Sequence, residues 1–280
     1  MNYSFAVPVR KGLLPPELRE LFADDGVRRE LTVELPPGVT VWPDPTFERG
    51  RPHRRPAFWL SDDPVPGELW SRFRDEHPAS GLYPLLLEES VQPWSVGQIA
   101  PDDADRINLF HAQAFMDEVW ADWVESASHD QIGNLEPFGP VSPGLAEPGV
   151  PVAHPDVVAD WYARELARNG TPLGLVAAER GADALAVMGW QGAVNHNEWA
   201  VPMAAVIRSW EERFGARVVG VGFNTLDLSI AAPPTTELHA VHVAAEHWTF
   251  CPDSIVQGPG TLEDYAEQIR GRNAWSFWWD

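Results

Sequence analysis

Ala274-Trp275-Ser276-Phe277-Trp278-Trp279-Asp280 ends the sequence, and its reading decides the fold. Trp275, Phe277 and Trp279 fall on one side of a two-residue period, with Ser276, Trp278 and Asp280 on the other. This is the alternation of a strand packed on one face and half-covered on the other. Terminal residues fray unless they are tied into a sheet or docked, so a tail this rich in large rings predicts the closing strand of a sheet.

Reading back from that strand, Thr261 with Asp264 three residues on caps a helix that Gly271 ends. Thr235 or Thr236 caps another helix that runs to about Trp248. Leu226, Leu228 and Ile230 alternate with Asp227 and Ser229 in a strand with one wet face, joined through Phe223-Asn224-Thr225 to a strand over Val218–Gly222. Pro202 opens a helix carrying Met203, Val206, Ile207, Trp210 and Phe214 at helical spacing, and Gly215 supplies its exit. Leu173–Ala178 and Ala184–Met188 read as strands around the turn Arg180-Gly181-Ala182, followed by an irregular Gly189–Trp199 loop. Taking Ala184–Met188 as the first strand gives the order βαββαβ with an extra helix and an extra N-terminal strand. The expected class is therefore α+β, with a C-terminal ferredoxin-like sandwich.

The N-terminal half reads as a smaller α/β module. It has a short helix at Pro16–Phe22, a strand near Val39–Trp42 and another at Ala57–Leu60. A helix over Pro66–His77 buries Leu69, Trp70 and Phe73, and the apolar strand Leu82–Leu87 follows. Strand, helix and strand in that order make a right-handed crossover candidate. Ile107 to Val124 reads as one helix and Pro155 to Arg168 as another, the latter stopping at Asn169-Gly170. The repeated Pro and Gly of residues 126–153 suggest a long loop or linker. The expected division is 1–125, the 126–153 segment, and 154–280.

Several stretches resemble one bacterial family. Val206-Ile207-Arg208-Ser209-Trp210-Glu211-Glu212-Arg213-Phe214-Gly215-Ala216, Ala244-Ala245-Glu246-His247, Phe250-Cys251-Pro252-Asp253 and the closing tryptophan strand are similar to the family called domain of unknown function 4253. The first module, through Phe58-Trp59-Leu60-Ser61-Asp62-Asp63-Pro64, Gly81-Leu82-Tyr83-Pro84-Leu85-Leu86-Leu87 and Pro93-Trp94-Ser95-Val96-Gly97, looks like the usual partner of that domain in actinobacterial members. The resemblance implies membership and no established activity, so it transfers no catalytic residues and no cofactor.

Charge narrows the function classes. The chain carries 20 basic and 41 acidic residues, a net charge of −21. Residues 81–160 hold 14 of the acidic residues against Arg106 alone. Such a field repels phosphate backbones and anionic lipid surfaces, so nucleic acid and membrane are not expected partners, and a basic protein is. The N-terminal residues Met1 to Leu14 lack a signal-peptide pattern, no stretch is long and apolar enough to cross a membrane, and Cys251 has no second cysteine to pair with. The expected compartment is the cytoplasm. The basic run Arg49, Arg51, His53, Arg54 and Arg55 is expected to match the acidic middle region, within the chain or between subunits.

Two groups of residues are candidates for chemistry or binding. On the helix around Leu238–Trp248, His239, His242 and Glu246 project within about 60° of one another, which makes them candidate metal ligands. The competing reading is a solvated helix face that also carries His247. Trp94, Trp190, Asn195, His196, Glu198 and Trp199 form the candidate binding set, because loops on a rigid scaffold and exposed tryptophans are where partners dock. Cys251 is expected to be a small core residue. No phosphate-binding glycine loop, nucleophile elbow or acidic metal loop is present.

The leading expectation is a non-catalytic binding protein, of the kind that neutralises a toxin, with its acidic region docking a basic partner. The alternatives are a metal-assisted hydrolase with its site near His239, His242, Glu246 and the 190–199 loop, and a structural component of a larger assembly.

Overall fold

A computed structural model describes residues 12–47, 53–89, 93–128 and 132–280. Arg49, Arg51 and Pro52 of the basic run lie outside the described residues. In chain order the strands are β1 (Gly12–Leu13), β2 (Glu30–Leu31), β3 (Gly38–Val41), β4 (Phe58–Pro64), β5 (Leu82–Leu87), β6 (Pro172–Ala177), β7 (Arg217–Val221), β8 (Thr225–Ser229) and β9 (Ala274–Trp278). The helices used below are α1 (Pro16–Arg19), α2 (Gly67–Ser80), α3 (Ala112–Ser126), α4 (Pro155–Leu166), α5 (Ala184–Met188), α6 (Ala200–Phe214), α7 (Glu237–Phe250), α8 (Asp253–Val256) and α9 (Leu262–Ile269).

Strands from both halves of the chain interleave in one mixed sheet of order β3-β4-β6-β5-β7-β8-β9, and β1 pairs with β2 apart from it. At its centre β5 and β7 run parallel, with Leu86 opposite Gly220, while every other neighbouring pair is antiparallel. β5 is buried along its whole length, which is why it reads as an unbroken apolar run rather than an alternating one. Leu82 and Leu86 enter the core under α2 and α4, whereas Tyr83, Leu85 and Leu87 enter the core that also holds side chains of α6, α7 and α9.

The α+β class stands, but the sheet is not ferredoxin-like. Ala184–Met188 is a helix, not a strand. Its five apolar residues carry no usable period, and alanine, leucine and methionine favour helix. Gly189 ends it at φ +76°, where a side chain would also strike the backbone of Ala100 and Pro101. A βαββαβ order does run along the chain if β6 is taken as its first strand. In space, however, β5 is inserted between β6 and β7, and β9 lies against β8. The strands β4 and β5 that flank α2 are both antiparallel to β6 and so parallel to each other, with β6 between them.

Two helix expectations change. The stretch 107–124 is a 3-10 turn over Ala104–Leu109, an extended break at Phe110 and His111, and then α3, whose Ala112, Met116 and Trp120 are buried one turn apart. Leu238, at the start of α7, is exposed, while the helix from Val243 to Phe250 is buried all round. The solvated-face reading therefore fails for His247.

The Pro/Gly-rich segment forms few regular elements but packs as a strap: Leu135 and Ala146 enter the main core. The tail behaves as its period predicts. Trp275, Phe277 and Trp279 are buried, and Trp278 is partly exposed on the other face. Although β9 is an edge strand, its end is covered: Ser254 Oγ accepts from Trp278 N at 3.3 Å and the Trp278 carbonyl accepts from Cys251 Sγ at 3.0 Å. Covering an edge in this way blocks pairing with a second sheet.

Candidate functional site

The three candidate metal ligands are not brought together as a ligand set. Glu246 Oε1 accepts from Ala146 N at 2.6 Å and Arg213 Nη1 at 2.7 Å. Its Oε2 accepts from Trp210 Nε1 at 2.7 Å and Arg213 Nη2 at 2.6 Å. A carboxylate with both oxygens engaged this way ties the strap to α6 and α7, and has little capacity left for an ion. His239 Nε2 pairs with the carbonyl of Glu147 at 2.8 Å, and His242 stacks on Phe138 with Nε2 3.3 Å from the carbonyl of Pro143. Among the described residues no group of three or more His, Cys, Asp or Glu is arranged to hold a metal ion.

The candidate binding set divides into three. Trp94 and Trp190 meet: with Val96, Ile99 and Phe223 they line a shallow apolar cleft beyond the C-terminal ends of β5 and β7. Trp190 is buried, donating Nε1 to the Gly222 carbonyl at 2.9 Å, and its ring lies edge-on to Trp279. The free space, about 30 Å³, holds about one water. Asn195 and His196 instead clasp the chain end. Asn195 Nδ2 donates to the Asp280 carbonyl at 2.9 Å, and His196 Nε2 lies 2.7 Å from Asp253 Oδ2, which also accepts from Asp280 N. Trp199 is half-buried under the Arg106 guanidinium, 4.3 Å away, and Glu198 is exposed.

Cys251 is buried, and burial pushes its thiol up to about 11. It is therefore a neutral core group near neutral pH rather than a nucleophile.

A larger site lies where the sequence reading placed nothing. At the end of the sheet where β5 and β7 begin and β6 ends, the last turn of α2, the start of α4, the turn after β6 and α6 enclose a polar cleft of about 440 Å³. Three arginines enter it, each already held. Arg74 donates Nε and Nη2 to Asp160 at 2.8–3.2 Å, with Nη1 2.8 Å from Asp75. Arg180 donates Nε to Glu211 at 2.9 Å and reaches Glu212 at 3.3 Å. Arg217 donates Nε to Asp156 at 3.2 Å and Nη1 to the Ala216 carbonyl at 2.9 Å.

Burial raises Glu211 above the usual carboxylate range despite Arg180, and burial lowers His77 below the usual imidazole range. Tyr83 lies edge-on to His77 and donates its hydroxyl to the Val218 carbonyl at 2.8 Å. Burial raises this phenol too, so it stays protonated. The signals that mark the cleft are Glu179-Arg180, Glu211-Glu212 and Arg217, charged residues on three different elements. Only the sheet brings them together.

The fold and its sites thus define an α+β protein built on one mixed seven-stranded sheet, with no helix among the described residues long and apolar enough to cross a membrane. Residues 172–280, from β6 to the closing strand, match the family model described as Domain of unknown function (DUF4253). No curated protein and no solved structure matches the chain.

Proposed function

We propose that the protein is a non-catalytic, cytoplasmic binding module whose acidic surface docks a basic protein, in the manner of a neutralising partner. One observation carries the reading. On α3, Glu118, Asp122 and Glu125 are exposed at helical spacing i, i+4 and i+7, so they share one face. None of the three has an ion-pair partner among the described residues, and Asp103 and Asp105 are exposed just before the helix. Arg106, the sole basic residue of the region, is taken by Asp102 at 2.6 Å.

An uncompensated stripe of this kind costs self-repulsion in the free protein, and a basic partner relieves it. The Glu246 carboxylate, with both oxygens engaged, weighs against the metal-assisted hydrolase.

The test is affinity capture with the intact protein and with a Glu118→Lys, Asp122→Lys, Glu125→Lys variant. The three side chains are exposed, so the variant should fold. The reading expects a basic protein retained by the wild type and lost from the variant. Equal retention by both would remove α3 as the docking face.

A further inference from the structure

We infer that residues 133–149 form a strap that opens as one unit while the sheet and its helices stay folded, and that the Arg213–Glu246 pair is the fixed seat on which it recloses. The inference does not depend on the acidic stripe of α3 or on any partner.

What holds the segment decides how it lets go. Its own turns close on themselves: Phe138 N and Gly139 N donate to the Leu135 carbonyl at 2.9 and 3.0 Å. Among the described residues a single backbone-to-backbone bond joins 133–149 to the rest of the molecule, from Gly149 N to the Arg213 carbonyl at 3.0 Å. The other polar ties end on side chains. His239, His242 and Glu246 stand on one face of α7 at i, i+3 and i+7, and reach the carbonyls of Glu147 and Pro143 and the amide of Ala146. Ser142 Oγ adds a bond to Asp117 of α3 at 2.5 Å. The apolar share is small: Leu135 and Ala146 are the buried side chains, with Phe138 and Leu145 half-buried. A segment with few buried apolar groups and few backbone bonds to its surroundings belongs to the low-stability end of a fold. Because most of its ties run to one rigid helix face, they release together.

The seat survives the opening. Arg213 Nη1 and Nη2 donate to Glu246 Oε1 and Oε2 at 2.7 and 2.6 Å, and Trp210 Nε1 donates to Oε2 at 2.7 Å. All three residues belong to α6 or α7. Lifting the strap therefore removes only the bonds of Ala146, its N–H to Glu246 Oε1 and its carbonyl from Arg213 Nη1 at 2.8 Å. A fork-on-fork pair keeps its charges matched when water replaces a backbone group, whereas loss of one partner would strand a buried charge. What lies under the strap also favours release. Trp120 and Trp248 are buried and meet edge-on with ring centroids 5.3 Å apart, and Phe138 of the strap lies edge-on to Trp120 at 6.5 Å. Trp120 Nε1 has no partner among the described residues. A buried donor left unpaired costs free energy that opening recovers through hydration.

Amide hydrogen exchange of the full-length protein, read residue by residue by NMR at rising sub-denaturing guanidinium, tests the inference. The amides of Phe138, Gly139, Ala146 and Gly149, all hydrogen-bonded when the strap is closed, should share one protection factor. That factor should lie at least about thirty-fold below the protection of residues 243–250 in α7. Denaturant should speed exchange in α7 steeply and in the strap little, because opening exposes far less surface than unfolding does. Phe138→Ala, which truncates a half-buried ring, should lower protection at Ala146 and Gly149 at least about five-fold, by the same factor as at Gly139. Protection at Ala146 and Gly149 left unchanged by that substitution would show local fraying rather than a unit. Strap amides that follow α7 in denaturant would show that the segment opens only with global unfolding, and either result would overturn the inference.

Discussion

Glu246 and His247 are adjacent residues whose surroundings assign them opposite tasks. Glu246 is an ionic keystone that joins Arg213, Trp210 and the backbone of Ala146. Its side chain is 1% exposed and that of Arg213 12%, so removing the carboxylate leaves a buried cation without its partner. Glu246→Ala is expected to cost about 3–5 kcal/mol by denaturant unfolding, and a loss under about 1 kcal/mol would contradict the keystone role. From sequence, a carboxylate one turn beyond a histidine resembles a ligand. What distinguishes it is a partner on another helix and a strap far away in the chain, and no local pattern records either.

His247 is enclosed by Trp210, Trp275, Phe277 and Tyr265, with Nδ1 3.1 Å from the Tyr265 hydroxyl and Nε2 without a partner among the described residues. Burial, with Arg213 adding to it, holds the imidazole well below its ordinary range. Below about pH 6.5 the unfolded chain therefore takes up a proton that the folded chain refuses. Stability from this group is complete above that pH and falls on acidification, by up to about 1.4 kcal/mol per pH unit. His77 acts in the same direction. Glu211 and Asp227, raised by burial, act in the opposite direction at lower pH. The His247→Phe variant should accordingly lose less of its thermal midpoint between neutral pH and pH of about 5 than the wild type does. Parallel curves for the two proteins would refute this account.

At the scale of elements, β9 shows how far a pattern can be trusted. Its alternation is readable because the strand has one core face, and Trp275, Phe277 and Trp279 all enter the main core as the period requires. Trp275 packs against Trp210, Phe214 and His247, with ring centroids 4.3–5.5 Å apart. Trp275→Ala should cost about 3–5 kcal/mol, and deleting residues 275–280 should abolish the cooperative thermal transition. A truncated protein that kept the wild-type midpoint would show that the strand is not part of the core. By contrast, Ala184–Met188 is a short apolar run with no polar residue to mark a face, so strand and helix read alike. The break at Phe110 and His111 is invisible for a related reason: neither residue forbids helix, yet both are extended.

For the whole molecule, element order is legible apart from Ala184–Met188 and the break at Phe110 and His111, and strand pairing is not. The sheet inserts β5 from the N-terminal half between β6 and β7, and nothing in the alternation of a doubly buried strand names its neighbours. The same pairing gathers the lone charges of the cleft, which explains why Glu179, Arg180, Glu211 and Arg217 escaped a residue-by-residue reading. Because strands of both halves complete one another's hydrogen bonding, fragments 1–125 and 154–280 made separately should lack a cooperative transition, and co-expression should restore it. Independent folding of either fragment would contradict that dependence. The acidic middle region was visible from charge alone; the alignment of Glu118, Asp122 and Glu125 on one helix face required only the helix period.

The salt dependence of partner retention by the intact protein tests the central functional claim most directly, since exposed charge pairs are screened within about 10 Å at 0.1 M salt. The account predicts a basic protein held at low salt and released progressively as salt rises. Failure to retain any basic protein at low salt, or retention that salt leaves unchanged, would contradict it.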